Sequence, residues 1–466
     1  MLTMLDNGVV LFITLIILAI AWHFSKSVTD MESYYLGNRS LPWSLTVGAL
    51  VATWYGGVGT LGSVEYFAMY GASMWLIWCV TAHTGRMPLA LWIGPKMQLR
   101  TDITVPDLLQ AVYGRGVALL GAVFMLVYCL QFANITTIGF VGKVAWGLPY
   151  MVTASIAVAI VIFIAVSAGL MGVAVTDMLL FWCLGFSVAI VVPLQWGKVG
   201  GWDGIYTALN ATPELLDPVG GMNAMTALML IVLAFGVYAD PTFYQRFSAS
   251  NSQASGRRAL LTCFIIWVMF DVVLVITGLL VDVLYPGMPP GEGYVNLVLA
   301  TLPPGVRALF VVALIGSAIS ALDGYFLSGA ATFANDIYGK IKKNPTQKEI
   351  VLLTRITVVV LGLAGLFFAF KFTTAMDGFI FIGSMWMSAG FAPIVGALLF
   401  KGKKTPMGGY LSIIIGAGTF FLMKAFPPEV YIEPLVVAVP VSFVAWFIGN
   451  RIGKSVEISE LREERV

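Results

Sequence analysis

Charge is scarce in this sequence. Asp, Glu, Lys and Arg make up only 11% of its 466 residues, against about 25% in soluble domains. That shortage excludes the soluble globular, disordered and nucleic-acid-binding classes together. A formal net charge of +2 points to no acidic or basic partner. Cysteine is equally thin. Cys79, Cys129, Cys183 and Cys263 all fall inside apolar runs, where they read as small buried hydrophobes and not as a disulfide framework. The two histidines, His23 and His83, stand alone. No metal-ligand cluster, nucleophile motif or phosphate-binding loop appears, so an enzyme is not expected.

What the chain has in abundance is apolar length. Hydrophobic residues make up 59% of it, and the mean hydropathy is +0.91. The runs approach the 20 or so residues needed to cross a bilayer as helix, and they lack the short alternation of a β-barrel. The expected fold class is therefore an all-α polytopic membrane protein. Thirteen candidate spans fall at about 8–24, 43–69, 73–95, 117–141, 150–169, 172–196, 224–245, 259–284, 305–333, 352–371, 376–400, 407–425 and 432–450. The first run, Val9 to Ala21, has Asp6 ahead of it, no basic start and no small-residue cleavage site behind it, so it reads as a retained helix. No long polar insertion divides the spans, and residues 1–466 read as one transmembrane domain.

Lys and Arg set the orientation. With thirteen spans, 20 of these residues fall on one side and 5 on the other, with Arg86 left inside a span. The bias puts the N-terminus outside and the C-terminus in the cytoplasm of a multi-pass cell-membrane protein. Two spans carry a break. The second contains Val51-Ala-Thr-Trp-Tyr-Gly-Gly-Val-Gly-Thr-Leu-Gly62, and the seventh contains Ala234-Phe-Gly-Val-Tyr-Ala-Asp-Pro241. Glycine costs about 1 kcal/mol and proline about 3 kcal/mol inside a helix. The two spans lie five apart, an odd number, so they run in opposite directions. Spans 2–6 and 7–11 can then be inverted copies, each opening on an interrupted helix, which is the pattern of a transporter with a mid-membrane site. A third stretch, Ala313 to Tyr338, carries Ser317, Ser320, Gly324 and Ser328 on one helical face. Such a face is either a close helix–helix seam or an ion site built from hydroxyl and carbonyl oxygens.

Several motifs, taken in order, resemble the sodium:solute symporter family, the group of the sodium/glucose, proline, pantothenate and sialic acid transporters. They are Tyr35-Leu-Gly-Asn-Arg-Ser-Leu-Pro42, Val51 to Gly57, Thr104-Val-Pro-Asp107 with Tyr113-Gly114, Ala168 to Asp177, Gln245-Arg246, and Ser320 to Asp323 with Asp336-Ile-Tyr338. The resemblance covers roughly Tyr34 to Tyr338. It implies a leucine-transporter-type fold with a leading helix (8–24), two inverted five-helix repeats (43–196 and 224–400), two trailing helices (407–450) and a cytoplasmic tail (451–466). It also implies secondary active uptake with Na+ as the coupling ion. Carried onto this chain, the sodium site uses the carbonyls of Ala52, Tyr55 and Ser317 and the hydroxyl of Ser320. The family usually has a second Ser or Thr next; here it is Ala321, and the hydroxyl of Ser317 or Thr53 could compensate.

Charges at membrane depth are expensive and usually functional. They are Glu65, Arg86, Asp177, Asp240, Asp271 and Asp323. Asp177 reads as a helix cap or, by resemblance, as part of the cytoplasmic ion path. Asp323 reads as a support for Ser320 or a structural acceptor, and Asp240 as a hinge or cap. Asp271 reads as one half of an internal pair with Arg86 or as a neutral acid, with proton carriage and contact to a cationic solute group left open, and Glu65 can pair with Arg86 instead. Solute contacts are expected from spans 2, 4, 7 and 11: Trp54, Tyr55, Gly57 and Thr60; Gln131, Asn134 and Thr137; Phe235, Gly236 and Tyr238; Ser384, Trp386 and Ser388. The expected function is sodium-coupled symport of a small polar organic solute, such as an amino acid or carboxylate. The alternatives are a proton-coupled or uncoupled transporter and, further off, a channel or sensor module. The expected partners are that solute, sodium and the lipid bilayer, with no nucleic acid and no obligate protein partner.

Overall fold

The apolar runs are helices in the computed structural model, which describes residues 1–28, 30–98, 104–167, 169–342, 345–372 and 374–454. Helix is the only regular structure a lipid-exposed segment can take without a closed sheet, because each backbone group must find its partner locally. Among the described residues the only strand-like pairing is a bridge between Leu41 and Ser250. The membrane helices are α1 (Met4–Ser25), α2 (Trp43–Trp54), α3 (Val58–Ile93), α4 (Arg115–Trp146), α5 (Tyr150–Ser167), α6 (Gly169–Trp196), α7 (Ala224–Ala249), α8 (Gln253–Leu284), α9 (Val306–Ile341), α10 (Gln347–Ala369), α11 (Ala375–Leu399), α12 (Pro406–Ala425) and α13 (Pro434–Ile452). Several start on side-chain caps: Thr3 with Asp6 on α1, Asn223 on α7, Ser252 on α8, Thr346 with Glu349 on α10 and Thr405 on α12.

By length and apolarity eleven of these helices can cross a membrane alone, and α2 with α3, bent by 58°, makes a twelfth span. The expected count of thirteen is not reached on this measure. The expected spans 43–69 and 73–95 run on through α3 without a gap. They are separated only by Gly71, whose φ of 53° and ψ of −132° are not helical. A Cβ there would stand 1.8 Å from the Leu215 carbonyl, so the kink requires glycine.

Burial sorts the helices. Only 17% of the most apolar stretch of α1 is buried, against 78% for α9 and for α11, so α1 faces lipid while α9 and α11 form the centre. Helix α9 packs on α2, α4, α5, α6 and α10. The motifs that lie far apart in sequence tie helix ends together. The Tyr35 carbonyl accepts from Gln245 Nε2 at 2.9 Å, and Thr104 Oγ1 donates to Asp336 Oδ2 at 2.7 Å. Lys340 bridges Asp107 and Asp336 at 3.1 Å each. At the other end of α9, Arg307 meets the buried Asp6 of α1 at 2.7 Å. Arg100, Lys343, the Ala168 that opens one motif, and residues 455–466 of the expected tail lie outside the described residues.

Candidate solute and ion site

Three helix interruptions meet at one cavity. The first separates α2 from α3 at Tyr55–Gly57. The second, in α7, is a tight turn over Phe235–Tyr238 followed by Asp240, whose Oδ1 accepts from the Thr242 and Phe243 amides and so caps the helix beginning at Pro241. Asp240 is therefore the cap the sequence suggested, and the hydroxyls of Tyr128 and Tyr325 occupy its Oδ2 at 2.9 and 2.7 Å. The third interruption was not foreseen. Gln131 in α4 has a φ of 39° between helical stretches 115–128 and 132–146. A left-handed non-glycine residue costs of order 1–3 kcal/mol and collects at functional sites. No glycine or proline marks it, so the sequence carries no signal for it.

The cavity is lined by Thr53, Trp54, Val58 and Gly59 at the first break, Tyr128, Gln131 and Asn134 at the third, and Gly236, Val237 and Asp240 at the second. Tyr325 of α9 and Met376, Phe379, Trp386 and Met387 of α11 close it, with Trp78. Of the expected solute contacts, Trp54, Gln131, Asn134, Gly236 and Trp386 come together here. Asn134 also accepts from the freed Val58 amide at 3.3 Å, holding the first break open. Gly57, Thr60, Phe235, Tyr238 and Ser384 are not in the lining. Gly57 is pressed between Ala318 and Thr137, Phe235 packs on Gly85, and Tyr238 donates to the Gly85 carbonyl at 2.6 Å. Thr60 donates to the Tyr55 carbonyl at 2.9 Å. Ser384 lines a separate pocket with Tyr66 and Tyr70. Tyr128 lies one turn before Gln131 and was findable on that ground; Trp78 and Tyr325 come from elements whose approach the sequence does not reveal.

The residues expected to hold sodium divide between two places. A Cβ on Gly56 would stand 3.2 Å from the Ser317 carbonyl and 2.9 Å from the Ala321 methyl, so the first break abuts α9 there. Ala52 is buried beside it, and the Ser317 hydroxyl is turned back to the Leu314 carbonyl at 3.1 Å. Ser320 points elsewhere. With Asp323 it lines a cavity between α1, α4, α5, α6 and α9. Its hydroxyl, both oxygens of Asp177 and Oδ1 of Asp323 are buried without a hydrogen-bond partner. Buried oxygens left unpaired are costly, and these are the hard donors a small cation prefers. Asp177 sits inside α6, which begins at Gly169, so it is not the helix cap that was one expectation for it. The lower part of the serine face is a seam: Gly324 lies under the Arg246 guanidinium, and Ser328 bonds the Gly324 carbonyl at 2.9 Å.

Asp271 joins an internal network. Its Oδ1 accepts from the Tyr55 hydroxyl and its Oδ2 meets His83 Nε2 at 2.5 Å. On the far side of the ring, Arg86 Nη1 lies 3.2 Å from His83 Nδ1. An arginine only donates, so Nδ1 accepts and the proton of a neutral His83 sits on Nε2. His83, read as isolated, is the bridge. Glu65 does not pair with Arg86; one of its oxygens is buried without a partner, while Arg86 turns toward Trp54 and α8.

Comparison with known proteins agrees with this architecture. The profile of the sodium:solute symporter family matches residues 34–416. The osmoregulated proline transporter OpuE of Bacillus subtilis is 24% identical over 87% of this chain and 86% of its own. The sodium/proline symporter of Escherichia coli is 23% identical over 87% and 84%. A solved substrate-bound, outward-open structure of a Na+-coupled sialic acid symporter superposes with a TM-score of 0.85 over 98% of this chain and 99% of that one, at 16% identity. The likeness shows the fold, an all-α leucine-transporter-type bundle.

Proposed function

The chain belongs to the sodium:solute symporter family, a family of membrane transporters and not of enzymes, and from that premise we propose that it couples sodium entry to uptake of a small polar organic solute by alternating access. The observation that carries this reading is the meeting of three interrupted helices at one buried cavity. Unwound backbone offers carbonyls and amides at a depth where straight helices offer none. The solute class follows from the lining, in which Gln131 and Asn134 lie among Trp54, Trp78, Phe379 and Trp386. An amino acid or a related carboxylate fits it. The relatives named above, transporters of proline and of sialic acid, point to the same class.

The domain reading that goes with this function has a leading helix (8–24), repeats at 43–196 and 224–400, two trailing helices (407–450) and a cytoplasmic tail, with the N-terminus outside. The ion enters between the first break and α9. Ala52, Tyr55 and Ser317 supply carbonyls there; the Ser320 hydroxyl, on the adjoining face of α9, takes the ion next, with Asp177 and Asp323 on its way onward. A second reading, proton coupling, is favoured by one observation: Ala321 offers no oxygen to the break, while both oxygens of Asp177 and one of Asp323 are buried without a partner.

A thermal-shift panel of amino acids, carboxylates, sugars, nucleobases and quaternary amines separates the two. Linked binding makes solute stabilisation grow with sodium concentration. Stabilisation indifferent to sodium and dependent on pH overturns sodium coupling in favour of protons.

A further inference from the structure

Arg86 carries more hydrogen-bonding capacity than the protein uses. It is fully buried. Nη1 reaches His83, but Nε and Nη2 have no hydrogen-bond partner. Among the described residues no carboxylate comes within ion-pair distance of it. The nearest acid in the network, Asp271, has both oxygens engaged by Tyr55 and His83. The guanidinium instead lies 3.5 Å from the Trp54 ring centroid and 4.7 Å from that of Trp267. Two indole faces attract a cation, yet they accept no directed N–H bond of the strength a carboxylate provides.

Its position is as informative as its chemistry. Trp54, which covers the guanidinium, is also a wall of the central cavity and the last residue of α2 before the first break. The second break touches the same turn: Tyr238 donates to the Gly85 carbonyl at 2.6 Å, and the Phe235 ring packs on Gly85. Arg86 thus sits where both interrupted helices converge, one aromatic ring away from the cavity. The bland alternative is that Arg86 only balances the charge of Asp271 through His83. That role uses Nη1 and the net charge. It leaves Nε–H and one N–H of Nη2, the side-on edge of the fork that grips a carboxylate bidentately, with nothing to hold.

We propose that Arg86 is the anion-recognising residue of the solute site, a carboxylate site screened by Trp54 in this conformation and opened when that ring turns. The proposal rests on the reading of the cavity as the solute site and adds to it a specific demand, that the transported solute bear a carboxylate. Rotation of Trp54 exchanges a cation–π contact for two charge-assisted hydrogen bonds. A neutral analogue leaves the guanidinium unpaired in a dry site, the situation that gives polar sites their strongest discrimination.

The test uses the purified full-length protein at saturating sodium. It compares matched pairs that differ only at the acid: L-proline and L-prolinamide, sialic acid and its methyl ester, acetate and acetamide. At least one acid is expected to stabilise the protein against heat, with its neutral partner weaker by about tenfold or more. Arg86→Gln abolishes the preference for the acid, and Arg86→Lys keeps an intermediate one. Because Arg86→Gln leaves Asp271 unbalanced, the preference is also measured in an Arg86→Gln, Asp271→Asn variant, where the buried charge stays balanced; the wild-type pairs decide by themselves where neither variant folds. Equal stabilisation by acid and neutral partner, no stabilisation by any acid, or a preference that survives in either Gln variant overturns the proposal. An acid preference identical with and without sodium leaves Arg86 in its role and overturns sodium coupling, so the two failures are distinct.

Discussion

The Asp271 network predicts a specific non-additivity. Asp271 and Arg86 carry opposite charges within one buried chain of contacts, Tyr55–Asp271–His83–Arg86, and Asp271 is only 3% exposed. Asp271→Asn keeps the size and one acceptor but leaves the Arg86 cation alone between two tryptophans. Arg86→Gln leaves the carboxylate alone. Breaking one side of a contacting buried pair costs about 3–5 kcal/mol, mostly because the remaining charge is stranded; with His83 between the two charges each single variant should cost less. The double variant strands neither. Its cost should fall short of the sum of the singles by about 1–3 kcal/mol, the range for groups in one network. His83 spaces the charges, so the lower half of that range is the expectation. Tyr55→Phe removes only a hydroxyl, which also has the Trp267 carbonyl at 3.2 Å, and should cost about 1 kcal/mol. The assay is thermal unfolding of the wild type and the four variants, purified in one detergent at fixed sodium. A double variant whose shift equals the sum of the two singles refutes the shared network.

Other substitutions test the ion site and the first break. Ser320→Ala should weaken sodium activation of uptake in proteoliposomes by about tenfold, the worth of one good ligand contact; unchanged sodium dependence removes Ser320 from the site. Ala321→Ser should tighten sodium activation, since its side chain and the Ser317 carbonyl both abut Gly56 at the break; an unchanged or weakened midpoint counts against an ion between the break and α9. Gly57→Ala puts a methyl 2.6 Å from the Ala318 Cβ and 2.8 Å from the Thr137 Cγ2, an overpacking worth about 1–3 kcal/mol. Uptake should fall, and Ala318→Gly should restore it in part. A Gly57→Ala protein with wild-type thermal stability would mean the break is looser than its contacts indicate.

The fold was largely legible because the bilayer imposes it. Apolar length calls for helix, and Gly and Pro mark two of the three breaks. The span count was harder to read: Gly71 kinks what otherwise runs as one helix from Val58 to Ile93. The third break was invisible for a physical reason. Gln131 is not held in its left-handed conformation by any preference of its own. Its amide donates to the Tyr128 carbonyl at 3.1 Å, and α10 crosses so closely that a Cβ on Gly365 would stand 3.0 Å from the Leu130 carbonyl. Tertiary contact sets that conformation, and a single sequence does not display tertiary contact. The same limit hid His83. A lone histidine has no spacing to interpret until the helix carrying Asp271, 188 positions away, lies beside it.

The serine face of α9 shows how one pattern serves two purposes. Successive residues on a helix are rotated by about 100°, so adjacent positions need not share a neighbour. Ser317 and Ala321, one turn apart, face the first break, while Ser320 and Asp323 face the cavity toward α6. Gly324 and Ser328 continue down to Arg246 and Tyr35 as a packed seam. The hydroxyl missing at 321 is thus missing from the break side alone. On the other side Asp323 joins Asp177, and the oxygens left without partners are concentrated there. On the ion path proposed above, an ion leaving the break meets these oxygens next, and coupling would depend on how tightly they hold it. On that reading the identity of the coupling ion would depend on Asp177 and Asp323 at least as closely as on the serine the sequence singled out.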